Sequence, residues 1–129
     1  MIIDSSAILA ILFGETEEKV FSDKILKTLN PKMSVANYLE VTCVLENRKN
    51  VFVSKYLDAF FEETKIQLMP VTVTQIKIAR EAFRDFGKGS KSKAKLNFGD
   101  CFAYALAKEI KEPLLFKGND FIHTDVRAA

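Results

Sequence analysis

Short strand-like runs alternate with helix-length amphipathic segments along this chain, and that alternation constrains its fold more than any other feature. Ile2-Ile3 is a short apolar run that ends at Asp4. A helix is expected over Ala7–Phe13, opened by Ser5 and Ser6 and closed by Gly14. A second runs from Glu15, Glu17 and Glu18 to about Leu29, with Val20, Phe21, Ile25, Leu26 and Leu29 as its apolar stripe. The three glutamates suit the positive end of its dipole. Asn30-Pro31 breaks the helix, and Met33–Val35 reads as a strand. Helices follow over Asn37–Asn47 and Phe52–Lys65, then a strand within Ile66–Val73. Thr74 caps a fifth helix to about Phe86. After a loop from Gly87 to Lys95, Asn97 caps a sixth, Phe98 to about Lys111. Leu114–Phe116 is a strand, Gly118-Asn119-Asp120 a turn, and Ile122–Val126 a last strand. The order predicts an α/β fold with a mainly parallel central sheet covered on both faces. With no linker or repeat, residues 1–129 make one domain.

In such a sheet, sites collect beyond the C-terminal ends of the strands. Asp4 and Asp120 each follow a strand there, Asp100 lies in the first turn of a helix, and Glu40 lies about one turn into another. Each has an ordinary reading as well. Asp4 and Asp100 suit helix caps, Glu40 a solvated helix face and Asp120 a turn. Against this, Ser5 and Ser6 are available as caps in place of Asp4, and Glu40 has Val44 at i+4 where an exposed glutamate often has a basic partner. Four carboxylates drawn into apolar surroundings stay ionised only beside a cation. A hard ion with oxygen ligands, Mg²⁺ or Mn²⁺, is the expected tenant, and phosphodiester hydrolysis is the expected chemistry.

The remaining composition narrows the field. Net charge is +2, too small to announce nucleic-acid binding, but KGSKSKAK places Lys88, Lys91, Lys93 and Lys95 together without a carboxylate. That loop reads either as a solvated segment or as a phosphate-contacting flap. Cys43 and Cys101, in helical patterns without a C-x-x-C, read as reduced core residues, which suits a cytoplasmic protein. No secretory leader is evident, and no apolar run approaches the roughly 20 residues that span a bilayer. His123 is the only histidine, which excludes a two-histidine acid–base nuclease mechanism within one chain. Phosphate-loop, dinucleotide, nucleophile-elbow and zinc motifs are missing.

MIIDSSAILAIL, VANYLEV around Glu40, LNFGDCFAYALA around Asp100 and LLFKGNDFIHTDV at the end resemble the PIN-domain ribonucleases, above all the VapC-type toxins of toxin–antitoxin operons. The resemblance covers essentially the whole chain. It implies a three-layer α/β/α sandwich, Mg²⁺- or Mn²⁺-dependent RNA cleavage, a homodimer and a cognate antitoxin that covers the active site. Asp4, Glu40 and Asp100 match the family's three core acids and Asp120 the usual fourth. Ser6 and Asp125 match supporting positions. The opening reads D-S-S where D-T-S or D-A-S is common.

Two other readings compete. A phosphorylated receiver domain needs an aspartate at the end of a central strand near mid-chain, where Asp58 is the nearest and falls in a helical pattern. A non-catalytic binding module would use an apolar groove between Val20–Leu29 and Phe52–Phe61.

Overall fold

A computed structural model describes residues 1–48 and 51–129, and the side chains of all of these except 51–54. Four parallel strands form the sheet: β1 (Ile2–Ile3), β2 (Lys32–Ser34), β3 (Gln67–Met69) and β4 (Leu114–Leu115), in the order β3-β2-β1-β4. Among the described residues six helices surround it: α1 (Ser5–Leu12), α2 (Glu18–Lys27), α3 (Val35–Asn47), α4 (Val51–Thr64), α5 (Val73–Phe86) and α6 (Phe98–Ile110).

The strands are short, yet their pleat sorts the core into two halves because successive side chains point to opposite faces. Ile3 and Leu115 face one apolar cluster, built with Ile8 and Ile11 of α1, Ile25 of α2, Val41 and Leu45 of α3, and Leu57 and Phe60 of α4. Ile2 and Leu114 face the other, built with Ala79 and Ala82 of α5 and the small residues Ala103, Ala105 and Ala107 of α6. The result is helix, sheet, helix, the layering that parallel strands buried on both faces require.

Several local expectations change. Ser34 caps α3, so that helix begins two residues earlier than expected and β2 stops sooner. Thr72, not Thr74, caps α5: its hydroxyl accepts from Gln75 N at 3.1 Å. The strand expected over Ile122–Val126 is absent. Thr124 turns that segment back on Phe121, whose carbonyl accepts from both its N–H (3.0 Å) and its hydroxyl (2.7 Å). Pairing resumes only at Ala128, which bridges Leu114. Of the stripe expected on the second helix, Phe21 and Ile25 are buried while Val20, Leu26 and Leu29 are exposed. Cys101 is buried but Cys43 is exposed on α3. Among the described residues no helix is long and apolar enough to cross a membrane.

Candidate active site

Asp4 leaves the end of β1 in extended backbone and becomes the N-cap of α1. Its Oδ2 accepts from Ser6 N at 2.9 Å and from Ser6 Oγ at 2.5 Å. The serines therefore do not replace Asp4 as the cap; Ser6 is what the cap holds. The second oxygen, Oδ1, is buried without a hydrogen-bond partner. Burial pushes the Asp4 carboxyl up to about 6, against the opposing hydrogen bonds of Ser6 and with help from the charge of Glu40.

Asp100 is the third residue of α6 and closes a capping box with Asn97. Asp100 N donates to Asn97 Oδ1 at 2.9 Å, and Asn97 N donates to Asp100 Oδ2 at 2.7 Å. Burial raises its pKa to about 7; the Asn97 bond opposes, and the charges of Asp4, Asp120 and Glu40 add to the rise. Those influences put Asp4, Asp120 and Glu40 within electrostatic reach of Asp100, and Glu40 within reach of Asp4.

Glu40 is half-buried on α3 and comes to this edge from the side. Its Oε2 accepts from Ser5 Oγ at 2.5 Å and from Asn37 Nδ2 at 3.4 Å. Asp120, also half-buried, lies in the loop after β4. That loop is fastened to α1 by Lys117, whose N–H donates to Ser6 Oγ at 2.9 Å. The Lys117 ammonium ion-pairs with Glu15 and, at 2.9 Å, with Glu17. These glutamates therefore clasp the Asp120 loop as well as standing before a helix.

Asp125 is placed elsewhere. Its carboxylate accepts from Tyr104 OH at 2.5 Å and pairs with Lys108 at 2.8 Å, further along α6 from Asp100, so it ties the C-terminal turn to that helix instead of joining the acids. Lys88, Lys91, Lys93 and Lys95 are all exposed, on a loop anchored by buried Ala94 and Leu96 that leads directly into Asn97. His123 is exposed. Asp58 is exposed on α4 and not at a strand end, the position a receiver would need. Two residues that hold Glu40 escaped the sequence reading as site residues: Ser5 and Asn37. Only Asn37 carried a local signal, at i−3 from Glu40 on one helix face.

Among the described residues, no lysine or arginine pairs with any of the four acids. Nor do three acidic, histidine or cysteine side chains close around one point as placed. A hydrated Mg²⁺ needs no such trio, since it keeps several waters and takes one or two carboxylates. The orphaned Asp4 Oδ1 and the all-oxygen donor set fit such an ion.

The PIN domain family model matches residues 1–127. The chain belongs to the PIN-domain family. This PIN domain is 46% identical to Ribonuclease VapC28 of Mycobacterium tuberculosis over 129 residues, covering 100% of the chain and 97% of that relative. It is 41% identical to Ribonuclease VapC42 of the same species, covering 100% and 98%. In fold it is similar to M. tuberculosis VapC20, a crystal structure described as a sarcin–ricin loop cleaving toxin, with TM-score 0.74, 17% identity and 98% of both chains covered.

Proposed function

We propose that this PIN domain is a metal-dependent endoribonuclease, the toxin of a toxin–antitoxin pair, inhibited by a cognate antitoxin. The observation that carries the reading is the pair Asp4 and Asp100: buried, both raised in pKa, flanked by two more acids and, among the described residues, paired with no cation. The names of its close relatives support ribonuclease activity, and VapC naming supports an antitoxin partner.

Asp4 and Asp100 would hold Mg²⁺ or Mn²⁺, with Glu40 and Asp120 completing the set. Bound there, the ion supplies positive charge to the scissile phosphate and acidity to an attacking water. Asp4 contributes its free oxygen while the other keeps α1 capped, and Asp100 divides its two oxygens between fold and site in the same way. Water attack needs no 2′-hydroxyl nucleophile and leaves a 5′-phosphate and a 3′-hydroxyl. Lys88, Lys91, Lys93 and Lys95 are exposed on the loop that leads into α6, where they would meet RNA phosphates without reading sequence. A structured RNA is the expected target, in the cytoplasm.

The homodimer belongs to the same proposal. Leu39, Ile76, Phe83 and Phe98 are exposed on α3, α5 and α6, an apolar surface of the kind that a partner covers.

The test uses purified protein stripped of antitoxin, total cellular RNA, and Mg²⁺ or Mn²⁺. Discrete fragments ending in 5′-phosphate, lost with EDTA and in Asp4→Asn, are the expected result. RNA left intact with either ion sinks the proposal.

A further inference from the structure

Of the four acids, Glu40 has the longest side chain, and unlike Asp4 and Asp100 it caps no helix. Even so, three helices converge on its carboxylate. Ser5 of α1 donates to Oε2 at 2.5 Å, and Asn37 donates to the same oxygen at 3.4 Å. Asn37 is fully buried, and its amide also reaches Ser5 Oγ at 3.1 Å and the Gly99 carbonyl of α6 at 3.0 Å. One side-chain amide thus ties α1, α3 and α6 together behind the acid.

The third wall is an absence. A methyl group at Gly99 would lie 2.6 Å from Glu40 Cδ and 2.5 Å from Oε2, far inside contact distance. Gly99 is not needed for its backbone, since it is not among the positive-φ glycines. It sits instead inside the first turn of α6, where glycine is a poorer helix former than alanine. Space for a carboxylate is the reason the structure offers for it.

We propose that Gly99 is a positioning residue: its bare Cα, with Ser5 and Asn37, forms a seat that fixes the Glu40 carboxylate against the first turn of α6, one residue from Asp100. The inference rests on the reading of Glu40 as a metal-site acid. A methyl group at position 99 meets the carboxylate of Glu40 first: its three nearest atoms all belong to the far end of that flexible side chain. It therefore moves the acid and leaves the fold in place.

The experiment compares full-length wild type, Gly99→Ala, Ser5→Ala, Glu40→Gln and the Gly99→Ala/Glu40→Gln double variant. Three properties are measured: melting of the metal-free protein, Mn²⁺ binding by calorimetry without RNA, and RNA cleavage. Gly99→Ala is expected to melt at or slightly above wild type, because alanine favours the helix. Its Mn²⁺ affinity and cleavage are expected to fall roughly tenfold or more, as for other groups that orient metal ligands. Ser5→Ala moves both in the same direction by a smaller factor. The double variant is expected to be no worse than Glu40→Gln, because the two changes act through one carboxylate. Wild-type binding and cleavage in Gly99→Ala overturns the seat, as does a loss that adds in full to that of Glu40→Gln. Early melting overturns it too, since backbone would then have moved. Glu40→Gln with wild-type binding and cleavage overturns the metal-site assignment of Glu40 and the seat with it. Loss in Glu40→Gln alone overturns only the seat.

Discussion

The two ends of the sheet treat carboxylates in opposite ways. At the N-terminal ends of the strands, Glu112 pairs with Lys32 at 2.5 Å and with the Met1 amino group. Burial works to raise its pKa, but those two cations outweigh it and the net shift is downward. At the C-terminal ends, Asp4 and Asp100 are pushed up to about 6 and about 7, with only other acids beside them. Among the described residues, one end carries its own countercharge and the other does not. A folded chain accepts such an imbalance where a ligand will correct it, which is why perturbed groups cluster at functional sites.

The largest test of the contrast is Asp100→Asn or Asp4→Asn. Either should lower RNA cleavage by about a hundredfold or more, since a charged ligand is lost while the cap oxygen remains. The same variants should melt higher than wild type without metal at pH 8, because a repelling charge is gone. Normal cleavage in both would remove these residues from the chemistry.

Next in size is the pH response. A folded-state pKa raised from 3.8 to about 6 means that Asp4 contributes stability below its unfolded value and loses it as pH rises through about 6. The loss is on the order of 3 kcal/mol for that group. Asp100 extends the window to about 7. Metal-free protein should therefore melt lower at pH 8 than at pH 5, and Mn²⁺ should recover more at pH 8. A metal-free melting temperature that is flat across this range contradicts the assigned shifts.

Glu112→Gln probes the opposite end. Its lowered pKa gives stability above about 4.5, lost as pH falls, so the variant should be weaker at neutral pH by about 1–2 kcal/mol with cleavage unchanged. A variant that lost activity at unchanged stability would break the division between the two ends. The smallest effect concerns the basic loop. Replacing Lys91 and Lys93 by alanine should raise KM a few-fold and reduce the salt slope of RNA binding by about 0.7 per lysine. An unchanged slope would return the loop to the solvated reading.

Much of this was legible beforehand. The apolar run ending at Asp4 and the Asn97 cap before Asp100 are local signals, and β1 and α6 lie where those signals put them. What escaped was non-local. Ser5 and Glu40 are 35 residues apart, and Asn37 meets Gly99 across 62. No periodicity encodes such pairs. Apolar periodicity also failed to separate core from uncovered surface: Ile25 and Leu26 are neighbours in one expected stripe, yet one is fully buried and the other about half exposed. The partners of Asp125 were hidden for a related reason. Its Tyr104 partner is 21 residues earlier, and motif position alone gives no direction for the side chain.

The capped acids have a consequence for entropy. Asp4 and Asp100 each commit one oxygen to a helix start, so neither carboxylate rotates freely before a ligand arrives. The rotamer freedom that binding normally removes has already been lost in folding. On the proposed metal-site reading, an incoming ion would meet oxygens fixed by the same bonds that begin α1 and α6, and it could leave without uncapping either helix. Loading and emptying the site should therefore change the electric field at this edge far more than they change the backbone.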